Sequence, residues 1–365
     1  MSRLVALSTL PREGPSVRPR VLDYEPALRE AGVGLKHLPL LSSRTFSRFY
    51  SRRRVDRARK VLATALGYPR RAAHLGSLEP SDGVLVHREI VPRGNRRFLR
   101  RLERRGIRYA YDLDDAIYLS PRDYVGSGEL SRRRMATFKD PAEVNDLIAG
   151  AALVLAGNPV IAEHAARLCD DVRVQPTPVD TDRFRPREKS ERERPLVGWI
   201  GSPTAAYCLK DIAGALTRAA AEVPFDLLVV GAGEPVAIDG VRVIDKDWSL
   251  GEEPFDYAAL DVGLYPLPDN DWTRAKCGMK ALLYMASGAP SILSPVGVNR
   301  DIVSDGRTGL FATTEAEWTE SLLTYLGDPE MREAAGAAGR EEVVSHWSVS
   351  ALAEPFVAAI REVLP

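Results

Sequence analysis

Short apolar runs recur through the first half of the chain at Leu4–Ser8, Leu35–Leu40, Gly83–His87, Tyr109–Leu113, Leu153–Ala156 and Val172–Gln175. They return at Leu196–Ile200, Asp226–Val230, Val241–Ile244, Val262–Tyr265 and Ser291–Leu293. Runs this short, rich in Val, Ile and Leu, predict buried strands. Between them apolar residues fall at helical spacing over Val21–Ala31, Lys210–Glu222, Met279–Ala286, Glu315–Leu326, Pro329–Val344 and Val349–Val363. Strands alternating with helices predict parallel sheets with crossover helices, an α/β fold. The pattern lapses in PTPVDTDRFRPREKSERERP, residues 176–195, where Pro and charge replace apolar periodicity beyond Phe184. This stretch reads as a linker. The chain then divides into residues 1–185, 186–347 and a closing helix 348–365. Two sheets of similar size imply a cleft between the domains.

Against this pattern the stretch Asp271–Asp301 carries the most chemistry. Arg274, Lys276 and Lys280 crowd a short loop that leads through Cys277-Gly278 into a helix with Met279, Leu282, Leu283 and Ala286 on one face. Gly288 and Pro290 stop that helix. A helix start offers unpaired N–H groups and a positive dipole end, so added cations there suit a diphosphate. The competing reading is a solvated basic loop before a core helix. VGWIGSP, residues 197–203, ends a strand in Gly201-Ser202, where backbone can approach a ligand closely. VVGAGE at 229–234 is half of a dinucleotide fingerprint and lacks its full glycine spacing, which argues against a Rossmann dehydrogenase.

In the first half, YDLDDAIY at 111–118 sets Asp112, Asp114 and Asp115 at the end of a strand. Like charges this close raise at least one pKa and attract a cation or polar ligand. Three readings stand: a hydroxyl-binding or acid/base site, a Mg²⁺ site of the dehalogenase-phosphatase kind, and helix capping by one Asp. His87 ends a strand, where a histidine is as often structural as functional. Asn158 in AGNP starts a helix. Two basic segments, Ser43–Lys60 with eight cations and one acid, and Arg93–Arg108, predict amphipathic helices with a cationic face. Such a face is solvated, or meets an anionic membrane surface or a phosphorylated acceptor.

Composition narrows the classes. In 365 residues, 50 basic and 50 acidic side chains cancel, so no global field favours nucleic acid. Cys169, Cys208 and Cys277 have no metal-ligand spacing, which predicts a reduced, cytosolic protein. The opening MSRLVALSTLPREG is too short in its apolar run for a signal peptide, and no stretch approaches the ~20 apolar residues of a membrane span. Membrane contact is then expected to be peripheral only.

The run RAKCGMKALLYMASGAPSILSPVGVNRDIVSDGRTGLFA, residues 274–312, resembles the carboxyl-terminal domain of family 4 glycosyltransferases. VGWIGSP, PTPVDTDRF, DLDDAIY and GPSVRPRVLDYEPALREAG fit the same group in the expected order, so the resemblance spans nearly the whole chain. It implies the GT-B fold: two Rossmann-like α/β domains facing each other across a cleft, acceptor-binding first and nucleotide-sugar-binding second, with the last helix returning to the first domain. It implies a cytoplasmic enzyme of glycan biosynthesis moving a sugar from a nucleotide-diphosphate sugar to a glycan, lipid-linked or small-molecule acceptor, retaining the anomeric configuration and needing neither metal nor cofactor. Gly201 and Ser202 would lie beside the diphosphate. Arg274, Lys276 and Lys280 would supply cations, Gly278 and Met279 backbone amides, and Lys246–Trp248 would lie near the base. Asp114 and Asp115 are the candidates to hold the acceptor hydroxyl, with Gly14, Arg18, His87 and Asp112 on the acceptor side. Two departures stand out. Ala275 and Leu283 occupy the positions of a glutamate pair that many members carry, and Ser202 stands where many have an arginine. The alternatives are a sugar-nucleotide epimerase, a phosphorylase-like enzyme, or a non-catalytic member of the group.

Overall fold

The computed structural model describes residues 2–46, 54–120, 140–188 and 191–364. The chain forms two compact units: residues up to Pro178 together with Val349–Pro365, and Val179–Ser348.

In the first unit six parallel strands are β1 (Ser2–Ser8), β2 (Val33–Pro39), β3 (Asp82–His87), β4 (Tyr109–Leu113), β5 (Leu153–Ala156) and β6 (Val172–Val174). They lie in the order β2-β1-β3-β4-β5-β6. The described helices are α1 (Glu25–Glu30), α2 (Ser43–Phe46), α3 (Arg54–Gly76), α4 (Asn95–Glu103), α5 (Pro141–Ala149) and α6 (Pro159–Ala165). The single helix expected over Val21–Ala31 is instead a one-turn π-helix, Arg18–Leu22, followed by α1. Pro19 and Pro26 each open one of these pieces, because a residue without an N–H is tolerated only in a first turn. Asn158 caps α6, its Oδ1 accepting from the Ile161 amide at 3.0 Å. The basic segment Ser43–Lys60 is α2 and the start of α3, and residues 47–53 lie outside the described residues.

The second unit has β7 (Leu196–Ile200), β8 (Asp226–Val230), β9 (Arg242–Lys246), β10 (Val262–Tyr265), β11 (Ser291–Leu293) and β12 (Gly309–Phe311). Their order is β12-β11-β10-β7-β8-β9, all parallel. Its helices are α7 (Cys208–Asp211), α8 (Ala213–Glu222), α9 (Glu253–Ala259), α10 (Asp271–Arg274), α11 (Met279–Ala286), α12 (Asn299–Ile302), α13 (Glu315–Gly327) and α14 (Pro329–Glu342). Residues 179–184, read from sequence as linker, are packed structure of this unit. Val179 and Phe184 are buried in its core, and Arg340 donates to the carbonyls of Thr181 (2.9 Å) and Phe184 (2.7 Å).

Each sheet reverses its winding once, between β1 and β3 in the first unit and between β7 and β10 in the second. The carboxyl ends of the strands beside such a reversal leave a crevice where ligands bind in open α/β sheets.

The last helix, α15 (Val349–Val363), packs on the first unit. Phe356 stacks on Tyr24 with ring centroids 4.0 Å apart, inside a cluster of Leu4, Leu28, Leu85 and Ile360. Gln175 fixes the register, donating to Tyr24 Oη (2.8 Å) and the Leu352 carbonyl (3.1 Å). Phe356→Ala is expected to cost about 3–5 kcal/mol. Hydrogen exchange should show the loss in peptides of the first unit, with those of residues 196–342 unchanged.

Candidate functional site

In the second unit the reversal brings together the end of β7, the end of β10 and the start of α11. Gly278 caps α11 in the left-handed region (φ 65°), with no side chain closing the helix end. A Cβ at that glycine would sit 2.2 Å from Ile302 Cδ1, so both the dihedral and the packing call for Gly. The amides of Met279, Lys280 and Ala281 precede the first intrahelical bond, Leu282 N to Gly278 O, and have no helical acceptor of their own.

Lys280 is the side chain this helix start delivers. Its Nζ lies 4.8 Å from the ring centre of Trp199 on β7 and 5.1 Å from that of Tyr265 on β10. It also borders Gly201: a Cβ there would be 2.9 Å from Nζ. Lys280 is part-buried and has no carboxylate within ion-pair distance among the described residues. Burial pushes its pKa down to about 8, opposed by the Cys208 thiol and aided by the charge of Lys276. Two aromatic faces partly compensate the lost hydration. Gly231, at the end of β8, completes the wall: a Cβ on it would be 2.3 Å from the Gly201 carbonyl and 3.3 Å from Trp248 Cβ.

Gly201, Trp248, Gly278, Met279 and Lys280 thus belong to one neighbourhood, while two of the expected cations spend their charge differently. Arg274, half exposed on α10, is ion-paired with Asp269 (2.6 Å) and Asp271 (3.4 Å). Lys276 lies 4.3 Å from the ring centre of Trp272. Ser202 bonds Thr204 (2.9 Å), and Lys246 is held by Asp256. Trp248 donates from Nε1 to Glu253 (3.1 Å). Ala275 and Leu283, at the positions of the absent glutamate pair, are both buried in the apolar interior. Trp199 and Tyr265, the rings that hold Lys280, carried no signal in the sequence beyond their strand positions.

The first unit's reversal holds a different arrangement. Arg20 donates to both oxygens of Asp112 and to the Gln175 carbonyl. Asp112 Oδ2 is 2.6 Å from His87 Nδ1, and His87 Nε2 is 2.7 Å from Ser16 Oγ. Ser16 gives its hydroxyl proton to Asp114, so its oxygen accepts from His87 Nε2. Arg88 closes the chain on Asp114 (2.5 Å) and Asp115 (3.3 Å). Burial alone would raise Asp114, but the charges of Arg88 and His87 hold it well below the usual carboxylate range.

Arg88 is the one described non-glycine residue in the left-handed region (φ 62°). Its backbone is clamped on both sides: its N–H donates to the Asp112 carbonyl (2.9 Å), and its own carbonyl accepts from Tyr111 Oη (2.5 Å). Gly14 makes the turn that leads to Ser16, donating to the Pro11 carbonyl at 2.8 Å, and Arg18 is buried in the π-turn beyond it. Asp112, Asp114, Asp115 and His87 are thus brought together. Ser16, Arg20 and Arg88, which tie them, were not singled out from sequence. The capping reading of the acidic triplet does not hold, since no described helix starts there. Among the described residues no group of His, Cys, Asp and Glu side chains is placed to hold a metal ion.

Residues 194–328 match the family described as Glycosyl transferases group 1. Alpha-maltose-1-phosphate synthase of Mycolicibacterium smegmatis is 24% identical over 247 residues, which cover 56% of this chain and 60% of that protein. Sucrose-phosphate synthase from Thermosynechococcus elongatus superposes with a TM-score of 0.68 at 16% identity, over 99% of this chain and 98% of that one. The Anabaena protein HepE, solved with UDP-glucose, gives 0.66 at 12% identity over 99% of both chains. With the two six-stranded parallel sheets, these likenesses establish the GT-B fold.

Asp112→Asn is expected to destabilise the protein by about 3–5 kcal/mol, because it leaves the buried Arg20 guanidinium without its counter-charge. Urea unfolding measures this. An unchanged midpoint would mean that the Arg20–Asp112–His87 chain is not a structural tie.

Proposed function

We propose that this chain, which belongs to the group 1 glycosyl transferases through residues 194–328, transfers a sugar from a nucleoside-diphosphate sugar to an acceptor hydroxyl. The observation that carries the reading is Lys280. A part-buried ammonium without a carboxylate partner among the described residues, beside a glycine-lined strand end and an uncapped helix start, is a site for an anion. The diphosphate fits it: two phosphoryl groups would take Lys280 Nζ and the amides of Met279 and Lys280, with Gly201 leaving room for close approach. Complexes of HepE with UDP and UDP-glucose make uridine the first nucleotide to test.

In the reaction the bond between sugar C1 and the diphosphate oxygen breaks. Negative charge grows on the leaving group and positive charge on the sugar ring. A cation and helix amides already in place stabilise that leaving group more than they stabilise the bound donor. On this reading the protein's own charges do the work that a divalent ion would do elsewhere, and the anomeric configuration is retained. The acceptor hydroxyl is held by the first unit. Asp114 and Asp115, anchored by Arg88 and Ser16, are the groups to accept a hydrogen bond from it.

Lys280→Ala is expected to lose one charge-assisted contact, about 1.5–3 kcal/mol, and to slow turnover ~10–100-fold. pH supplies an independent check. Only the charged ammonium attracts the diphosphate, so donor affinity should fall as pH rises through about 8, by up to ~10-fold per unit. A nucleotide sugar has no phosphate proton titrating in that range, and the Lys280→Ala variant should lose the dependence. Calorimetry with UDP-sugars from pH 7 to 9.5 reads both. Flat wild-type affinity over that range would remove Lys280 from the anion site.

Asp114→Asn and Asp115→Asn should weaken acceptor use, ~10-fold or more in kcat/KM, while donor affinity stays at the wild-type value. Full transfer activity in both variants would exclude them from the reaction.

A further inference from the structure

Helix α3 is amphipathic the wrong way round for a helix of a closed domain. Its inner face is already seated. Arg71 is fully buried and donates to the carbonyls of Ser8, Leu38 (2.8 Å) and Ile90 (3.0 Å), at or just past the carboxyl ends of β1, β2 and β3. Gly67 lies against Leu40, and Leu75 is buried. The outer face is apolar. Val61, Leu62 and Leu66 are 63%, 60% and 61% exposed, the most exposed large apolar side chains among the described residues. Ala65 and Pro69 are exposed beside them. At 100° per residue these five positions fill one arc of roughly 140°, opposite the seated face.

Charge says what covers this face. Exposed Arg59 and Arg70 border the arc, and the sequence from Arg44 to Lys60 carries eight cations against one acid. A second copy of the chain would bring these cations against their like. Nucleic acid would take the cations and leave the aliphatic side chains unburied. The other basic segment provides the contrast. On α4 the apolar residues Phe98, Leu99 and Leu102 are buried, and Arg96, Arg97, Arg100 and Arg101 face water, an ordinary solvated helix. We propose that the outer face of α3 is a docking surface for an anionic lipid bilayer, with Val61, Leu62 and Leu66 entering the headgroup–acyl boundary and the flanking arginines meeting anionic headgroups. The contact is peripheral: no described helix is long and apolar enough to span a membrane. The inference is independent of the transfer chemistry.

Co-sedimentation of the full chain with vesicles tests it. The wild type should bind phosphatidylcholine vesicles that contain phosphatidylglycerol and ignore phosphatidylcholine alone. The combined Val61→Ser, Leu62→Ser, Leu66→Ser variant should lose at least about tenfold in partitioning. Arg59→Gln with Arg70→Gln should lose roughly fivefold to thirtyfold. All these side chains are exposed, so folding is not at stake. The proposal is overturned if the wild type fails to bind phosphatidylglycerol vesicles or if the triple-serine variant partitions like wild type. A wild type that chromatographs as a dimer, and is made monomeric by the three serines, would also overturn it.

Discussion

A lysine ammonium lying on two aromatic faces, with no carboxylate beside it among the described residues, is the constraint around which the second unit is arranged. Taking a charge out of water is costly, and proteins usually meet that cost by pairing it. Here the compensation is partial: the rings of Trp199 and Tyr265 attract the cation, and its proton is held less tightly, with a pKa near 8. The sheet order makes this possible. β7 and β10 are neighbours only because the winding reverses between them, and each carries, at or next to its last residue, a ring that meets Lys280. An incoming diphosphate would supply the missing counter-charge and raise the lysine's pKa again. On the proposed reading, the site is one that its ligand completes.

The first unit solves the same topological problem with the opposite electrostatics. Its reversal is filled by a run of alternating partners, Arg20, Asp112, His87, Ser16, Asp114, Arg88 and Asp115. Every link is made within the unit, so the run is not an open anion trap. Arg88 holds it at the exposed end, in a backbone conformation that costs a non-glycine residue about 1–3 kcal/mol and persists because Asp112 and Tyr111 clamp it on both sides. Strain stored beside two carboxylates at a strand end is the kind of arrangement that functional sites retain. A network of fixed acceptors suits a hydroxyl, which needs direction more than charge.

Much of the scaffold was legible because its punctuation is local. Gly278 and Gly288 bracket Met279–Ala286, and six of the strands begin and end where their apolar runs do. What was not legible is where side chains go. Arg274, Lys276 and Lys280 look equivalent in the sequence, yet one pairs with Asp269, one lies on Trp272 and one reaches the strand ends. Five residues and a helix start separate Arg274 from Lys280, enough to turn the two side chains to different surroundings. The acidic triplet was visible, but its partners Ser16, Arg20 and Arg88 come from other elements, and only tertiary structure sets them against it. β12, three residues long, carries too little pattern to announce itself, and residues 179–184 read as linker because Pro and charge conceal two core residues.

Helix α3 shows the same limit from the other side. Its apolar residues at helical spacing would ordinarily be assigned to a core, and the pattern cannot say which face the fold will use. The structure spends Gly67, Arg71 and Leu75 on the sheet and leaves Val61, Leu62 and Leu66 outside. Arg71 decides the matter. A guanidinium satisfied by three carbonyls near the strand ends ties down the rotation of the helix about its axis, because turning it away would leave a buried charge without acceptors. Once that buried cation is seated, the aliphatic face must point away from the sheet. The exposure of that face follows from the hydrogen bonding of the opposite one, and does not require a weakly packed helix to explain it.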